Sequence, residues 1–258
     1  MTLGSDQAPH HAIIIPFRAL GTQSAERCAQ LRHVVSALAA ARAARQWSTH
    51  IVVVQQGDVH AFNRGALLNA GVQWAETARN VVLHDCDLLP SAALLEAYDR
   101  LLQAAAPAAE RPVHLAARGT RYDSGARFLG GVLGLSRAHF AQAGGFPNTL
   151  FGWGAEDDEL RDRLEHAGVP PPLRMRDAGC RVLDLEGQPL PAKLHGLRHA
   201  RAGCPYRKEV RAQCRALRAR GHSMVDTLRT CSAHVQTGRL HGVPPCDGAT
   251  FLCAHLRR

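Results

Sequence analysis

Over the first hundred positions, two patterns alternate. Short runs of apolar residues are followed by stretches in which apolar residues recur every three or four positions. The runs Ala12–Arg18, Ile51–Val54 and Val81–His84 have the length and composition of buried strands. Helical spacing predicts one helix from Ser24 to Trp47 and another that begins at Asn63, whose side chain suits a helix cap. This β-α-β-α-β alternation predicts an α/β fold with a mostly parallel sheet flanked by helices.

The pattern of predicted elements continues past residue 90 and weakens from about Pro170. The run Gly130–Ser136 is apolar and opens with two glycines, which indicates either a close approach of the backbone to a ligand or a bulge. Another helix is expected to begin near Glu156. The remaining predicted elements are helices at about Ser91–Ala105 and Tyr206–Arg220 and strands at Val113–Ala117 and Arg181–Leu185.

Composition narrows the class of protein. With 258 residues, 46% of them hydrophobic, the chain can form a packed core, and no apolar run is long enough to predict a membrane span. The first residues lack the basic and apolar regions of a signal peptide. No Cys-x-x-Cys pair occurs among the eight cysteines, so we expect reduced thiols and no structural zinc site. The glycine motifs of dinucleotide-binding dehydrogenases, P-loop ATPases and serine hydrolases are absent from the sequence.

The net charge of +9 is distributed unevenly. Residues 193–258 contain 13 Lys and Arg but only 3 Asp and Glu, whereas residues 1–192 contain 18 and 19. Such a basic segment is either a solvated face or a contact for nucleic acid, an anionic membrane or an acidic polymer. Only Tyr206 and Phe251 supply aromatic rings after residue 193, so nucleic acid is not an expected partner.

Two acidic residues follow the third predicted strand. If the strand continues past His84, Asp85 and Asp87 point to the same side at the carboxyl edge of the sheet, where open α/β folds bind ligands. Two carboxylates that close repel each other unless a cation lies between them, and their oxygens suit Mg²⁺ or Mn²⁺. The alternative is a strand that ends in a polar turn.

A run of four acids, Glu156 to Glu159, stands at the predicted start of a helix. The helix dipole favours carboxylates there, but four adjacent acids also raise one another's pKa, as a general base near neutral pH requires. Trp153, between two glycines, suits either a platform for a sugar ring or an anchor in the core. His195 and His199 lie four apart in a basic stretch that could equally be a solvent-facing loop.

Five motifs, taken together, resemble those of the animal β-1,4-galactosyltransferases, and they occur in the same order. They are Ile15–Arg18, Phe62–Gly71, His84–Pro90, Gly130–Gly131 and Phe151–Glu159. The His-Asp-x-Asp-Leu-Leu-Pro form looks most like the member that adds galactose to xylose on proteoglycan cores. The resemblance covers about residues 12–200, and a weaker likeness to the family's C-terminal segment follows at Gly221–Val235.

The resemblance implies a single GT-A-type domain with a mixed, mostly parallel sheet. Residues 1–11 would be a loose leader and 12–200 the glycosyltransferase domain, with a nucleotide half at about 12–90 and an acceptor half at about 110–200. Residues 201–258 would be a basic C-terminal extension packed on the same domain. The implied activity is an inverting, Mn²⁺-dependent transfer of galactose from a UDP-sugar to a sugar hydroxyl of a glycan acceptor, with a β-1,4 linkage.

The resemblance also assigns roles to individual residues. Asp157 matches the catalytic base. The donor contacts are Pro16, Phe17, Arg18, Phe62, Arg64, Asp85, Gly130 and Gly131; the acceptor contacts are Trp153, Glu156 and Asp158. The metal ligands are Asp87 and His199, with His195 as a substitute, since Gly196 and Arg201 stand where family members carry a second ligand.

Two further departures from the family pattern concern the donor. Leu20 replaces a second arginine after Pro-Phe-Arg, and Phe128 replaces the tyrosine two residues before the glycine pair. The lost hydroxyl admits UDP-N-acetylgalactosamine beside UDP-galactose as the donor. With no anchor recognised, we expect a cytoplasmic location, with the basic extension in peripheral contact with an anionic membrane surface. A catalytically inactive UDP-sugar or glycan-binding module is the alternative, although such a module need not retain Asp87 and Asp157.

Overall fold

The computed structural model describes residues 11–19, 24–103, 111–115, 128–152, 156–175, 182–185, 212, 234–237 and 249–256. Its helices are α1 (Ser24–Arg45), α2 (Arg64–Trp74), α3 (Ala92–Gln103), α4 (Arg137–Ala143) and α5 (Glu156–His166). Its strands are β1 (His11–Phe17), β2 (Thr49–Gln56), β3 (Asn80–His84), β4 (Leu88–Pro90), β5 (Val113–His114), β6 (Val132–Ser136), β7 (Leu173–Arg174), β8 (Val182–Asp184), β9 (His234–Thr237) and β10 (Thr250–His255).

The main sheet has eight strands in the order β7-β5-β6-β3-β1-β2-β10-β9. Its centre is parallel, since β1 pairs in parallel with β2 and β3, and β10 in parallel with β2. Strand β6 runs antiparallel to β3 and β5, and β9 runs antiparallel to β10. A second, two-stranded sheet joins β4 to β8. The predicted α/β fold with a mixed, mostly parallel sheet is confirmed.

Both faces of the sheet are covered, which explains why its strands are continuous apolar runs in the sequence. Alternate residues of β1 enter different cores: Ile13 and Ile15 pack with the α1 side chains, whereas Ala12 and Ile14 pack with those of α2. Helices α3 and α5 continue these two layers, on the α1 and α2 faces respectively.

Helix α2 lies very close to the sheet and begins at its carboxyl edge. Asn63 caps it, because Asn63 Oδ1 accepts a hydrogen bond from the Ala66 amide at 3.0 Å. A Cβ at Gly71 would overlap Ile14 Cγ2 and come within 3.0 Å of Val54 Cγ2, so only glycine permits this approach. The first turn of α2, with Arg64, is thereby held beside the ends of β1, β2 and β3.

The structure differs from the prediction in several elements. Strands β4, β7, β9 and β10 and helix α4 were not predicted. Strand β10 lies between β2 and β9 in the main sheet, so the C-terminal part of the chain contributes to the central structure. The expected leader, except His11, and the predicted helix Tyr206–Arg220, except Ala212, lie outside the described residues. No helix in the described part of the chain is long and apolar enough to cross a membrane.

Candidate active site

Arg64 joins three carboxylates at the carboxyl edge of the sheet. Its Nε donates to Asp85 Oδ1 at 2.6 Å, and its Nη1 donates to Asp157 Oδ1 at 2.8 Å. Glu156 Oε1 lies 3.9 Å from the same Nη1. The four side chains come from the first turn of α2, the residue after β3 and the first turn of α5. The fold thus brings together residues that are up to 93 positions apart.

The charges of this cluster do not balance, since one guanidinium faces three carboxylates. Burial raises the pKa of Asp157 to about 8, with smaller increases from the nearby Glu156, Asp85 and Asp158, while Arg64 opposes the rise. Burial also raises the pKa of Glu156. The sequence predicted a raised pKa from crowding of like charges, but burial is the larger cause.

The four acids at the start of α5 face different partners. Asp158 is 31% exposed and accepts a hydrogen bond from Arg161 Nη1 at 2.9 Å. Glu159 is buried and pairs with Arg163, whose Nε lies 3.3 Å from Glu159 Oε1. Only Glu156 and Asp157 of this run contact Arg64 within the described part of the chain.

The glycine pair before β6 lies against the expected base. A Cβ at Gly130 would overlap both Asp157 Oδ2 and Phe128 Cζ, so a larger residue there would displace these side chains. Gly131 has φ = 85°, a left-handed conformation that favours glycine, and its carbonyl accepts from the Asp85 amide at 2.9 Å. The pair therefore connects the end of β3 to the base.

Two side chains, those of Arg174 and His114, bind the backbone of Phe128 and Gly130. Arg174 Nη1 donates to the Phe128 carbonyl at 3.0 Å, and a ring nitrogen of the buried His114, Nε2, lies 2.8 Å from the Gly130 carbonyl. The His114 and Phe128 rings meet edge to face, with centroids 6.1 Å apart. Neither His114 nor Arg174 was predicted as a site residue; the only signal was a histidine within an apolar strand.

The expected strand geometry at Asp85 and Asp87 is wrong. Strand β3 ends at His84, and the chain turns before β4. Each acid then has its own arginine: Asp85 binds Arg64, and Asp87 Oδ2 accepts from Arg27 Nη1 at 3.1 Å. The sequence offered no signal for Arg27, which lies 60 positions from Asp87.

His84 supports this turn from inside the core. Burial lowers its pKa to about 4, so the imidazole is neutral at physiological pH. Its Nδ1 lies 2.8 Å from the Asp85 carbonyl oxygen, which identifies Nδ1 as the protonated nitrogen. A neutral histidine thus fixes the backbone that presents both acids.

The end of β1 presents fewer accessible groups than expected. Pro16 is buried and the Phe17 side chain is fully buried in the core, so a nucleotide could meet only the Phe17 backbone. Arg18 is half-buried, and its Nε has no hydrogen-bond partner among the described residues. Phe62 is half-buried too, and its carbonyl accepts from the Gly152 amide at 2.8 Å.

Three expected site residues, Trp153, His195 and His199, lie outside the described residues. Within the described ranges, no three His, Cys, Asp or Glu side chains gather as a metal site would require. Asp87 is 4% exposed and supplies the hard carboxylate oxygens that Mn²⁺ prefers. The donor chemistry at Asp87 therefore fits the expected ion.

Two family models match the chain. One, the N-terminal region of glycosyl transferase group 7, matches residues 5–97, and the other, the N-terminal domain of galactosyltransferase, matches residues 111–172. β-1,4-galactosyltransferase 7 of Drosophila melanogaster is 34% identical over 163 residues, which are 61% of this chain and 45% of that protein. The Homo sapiens protein of the same name is 33% identical over 165 residues, or 62% and 46%. The chain thus spans about half the length of the curated relatives it matches.

Two solved structures share the fold. The catalytic domain of Drosophila β-1,4-galactosyltransferase 7 in complex with xylobiose has a TM-score of 0.66 and 25% identity, covering 96% of this chain and 94% of that one. A mutant of the same protein, in complex with manganese, UDP-Gal and xylobiose, has a TM-score of 0.64 and 22% identity, covering 96% and 95%.

Proposed function

Because the chain belongs to the β-1,4-galactosyltransferase family, with a GT-A-type fold, we propose that it is an inverting glycosyltransferase acting on a UDP-sugar and a glycan acceptor. The resemblance seen in the motifs is confirmed. The observation that carries the proposed activity is the ion pair between Arg64 and Asp157 at 2.8 Å, with Asp85 on the same guanidinium. It places the expected base next to the expected donor contacts.

Asp157 is proposed as the general base. Arg64 binds its Oδ1, whereas its Oδ2 faces Gly130, the segment expected beside the donor sugar. The acceptor hydroxyl would give its proton to Asp157 while its oxygen attacks the anomeric carbon from the face opposite UDP. As the new bond forms, the bond from that carbon to UDP breaks, and the configuration inverts.

Asp87 is proposed as a ligand of Mn²⁺. The solved relative that contains manganese and UDP-Gal supports the choice of ion, and the carboxylate chemistry of Asp87 suits it. When bound, the ion supplies charge neutralisation to the departing diphosphate. His199, with His195 as a substitute, remains predicted as a further ligand. Arg18, a half-buried arginine directly after β1, is proposed to meet a phosphate oxygen of the donor.

The donor is proposed to be UDP-galactose or UDP-N-acetylgalactosamine. Phe128 lies against Gly130 beside the expected base, which supports a contact between its ring and the donor sugar. The acceptor is proposed to be a sugar hydroxyl, because two solved structures of one relative contain xylobiose. The proposed β-1,4 linkage follows the names of the relatives. The acceptor contacts would be Glu156 and Asp158 with Trp153. Cytoplasmic location and peripheral membrane contact through the basic segment remain predictions.

A screen of UDP release tests the proposal. Purified protein would be incubated with several UDP-sugars, with xylosides and other simple acceptors, and with Mn²⁺ or a chelator. We expect acceptor-dependent UDP release with UDP-galactose or UDP-N-acetylgalactosamine that stops when the metal is chelated. UDP binding without transfer to any acceptor would instead favour the inactive binding module.

A further inference from the structure

Two buried asparagines, the cap of α2 and a residue in the middle of that helix, bind one turn of the acceptor half, the 144–148 turn. Asn69 is fully buried, and its Nδ2 donates to the Phe146 carbonyl and to Asn148 Oδ1, each at 2.8 Å. Its Oδ1 accepts from the Phe146 amide at 2.9 Å. Asn63, also fully buried, donates from Nδ2 to the Asn148 carbonyl at 2.7 Å. The turn is therefore fixed to α2 by four hydrogen bonds.

Helix α5 also binds the same turn. Arg163 is 3% exposed, and its Nη1 donates to the Gly145 carbonyl at 2.9 Å. The ion pair with Glu159 compensates the charge of this buried guanidinium. The 144–148 turn is thus bonded both to α2 and to α5.

These are the two helices that carry the site. Arg64 is the first residue of α2, and Asp157 is the second residue of α5. The 144–148 turn packs tightly against α2 next to Arg64, because a Cβ at Gly65 would lie 2.8 Å from Phe146 Cβ. A shift of the turn against α2 would therefore change the distance between Arg64 and Asp157.

We propose that Asn69 and Asn148 are positioning residues of the transfer reaction, which set the place of Asp157 relative to Arg64 by fixing the 144–148 turn to α2. The inference rests on the proposed function, because it takes Asp157 as the base. The amide at position 69 is suited to this task, since it donates and accepts at once and so satisfies both backbone groups of Phe146. An apolar or acidic side chain cannot do both.

Variants at position 148 test the proposal with little risk to folding, because Asn148 is half-buried. Asn148→Leu removes the acceptor for Asn69 Nδ2, whereas Asn148→Asp retains an oxygen there. We expect Asn148→Leu to lower kcat by about 10- to 100-fold, as for a misplaced catalytic group. Asn148→Asp should retain most of the activity. UDP affinity should stay nearly unchanged in both, because the expected donor contacts Arg64 and Asp85 bind each other and lie outside the 144–148 turn.

Leu38→Ala is the matched control for stability. Leu38 is fully buried in the core on the opposite face of the sheet, so its truncation lowers the melting temperature without touching the turn. Its kcat should remain normal below the melting transition. A kcat in Asn148→Leu no lower than in Leu38→Ala, or a parallel loss of UDP affinity and kcat, would overturn the proposal.

Amide hydrogen exchange separates a failure of this inference from a failure of the proposed function. If the wild-type protein transfers no sugar to any acceptor, the proposed function fails, but the turn can still be examined. Asn148→Leu should speed exchange at residues 144–152 and in the first turn of α5, while β3 stays protected. If exchange in Asn148→Leu is unchanged, Asn148 does not attach the turn to α2. If exchange is faster but kcat is normal, the attachment does not position Asp157.

Discussion

Arg64 Nη1 lies 2.8 Å from Asp157 Oδ1, and the Nε of the same guanidinium lies 2.6 Å from Asp85 Oδ1. One arginine therefore connects the expected base to an expected donor contact. Burial of Asp157 favours its neutral form, whereas Arg64 favours its charged form. The balance of these two effects decides at which pH Asp157 can accept a proton, and it makes Asp157 the first residue to test.

Replacing Asp157 by Asn should remove the base and keep its shape. We expect kcat to fall by about 10²- to 10⁴-fold, the range typical of general-base catalysis, with UDP affinity nearly intact. Asp158→Asn is the matched control, because Asp158 pairs with Arg161 at 2.9 Å and should affect the acceptor KM or stability instead. Steady-state kinetics with both substrates varied separates the two effects. A normal kcat in Asp157→Asn, with an inactive Asp158→Asn, would reverse the assignment.

The pKa of about 8 at Asp157 predicts how activity depends on pH. A base must be deprotonated, so kcat/KM for the acceptor should increase with pH until about 8 and then level off. Initial rates at low acceptor concentration, measured on both sides of this value, provide the test. If kcat/KM is already constant near pH 5, about one unit above the pKa of an ordinary carboxyl group, the pKa of Asp157 is not raised.

The same shift predicts a pH dependence of stability. The pKa of Asp157 is raised in the folded state from its ordinary value of 3.8, so the folded chain holds this proton more tightly than the unfolded chain does. The resulting contribution to the free energy of unfolding is fully present below about pH 4 and is lost as the pH rises through about 8. Relative to wild type, the melting temperature of Asp157→Asn should therefore rise over this interval.

Asp87→Ala should abolish the dependence of UDP binding on Mn²⁺. The Asp87 carboxylate is the proposed source of oxygen ligands for the ion, and without it the diphosphate would lose its counter-ion. Titration of UDP with and without Mn²⁺ measures this directly. Asp162→Asn, which changes a surface acid paired with Arg161 at 2.8 Å, serves as the control. Normal transfer by Asp87→Ala in the presence of a chelator would refute the metal site.

The fold was largely predictable because its strands and helices are local patterns. The runs at β1, β2 and β3 and the cap at Asn63 each depend on neighbouring residues, and the structure has an element at each place. Strands β9 and β10 were not predicted; β9 has only four residues, and the place of β10 in the sheet depends on its pairing with β2, far earlier in the chain. Local pattern does not contain that information.

The contacts of the site were less predictable than its residues. The motifs identified Arg64, Asp85 and Asp157 by resemblance, but not the ion pairs that join them, because those pairs depend on the packing of distant elements. Arg27 has no distinguishing feature in the sequence, although it binds Asp87.

Phe128→Tyr should shift donor choice toward galactose. Phe128 lies against Gly130, close to the expected base. The family pattern has a tyrosine at this position, and Phe128→Tyr restores its hydroxyl group. A net hydrogen bond is worth about 0.5–1.5 kcal/mol, so the ratio of kcat/KM for UDP-galactose over UDP-N-acetylgalactosamine should rise by about 2- to 12-fold. Phe62→Tyr, at another half-buried phenylalanine of the same edge, should leave this ratio unchanged. Competition between the two donors in one reaction measures the ratio directly. Wild-type protein that already uses only UDP-galactose, with no change in Phe128→Tyr, would show that this position does not select the donor.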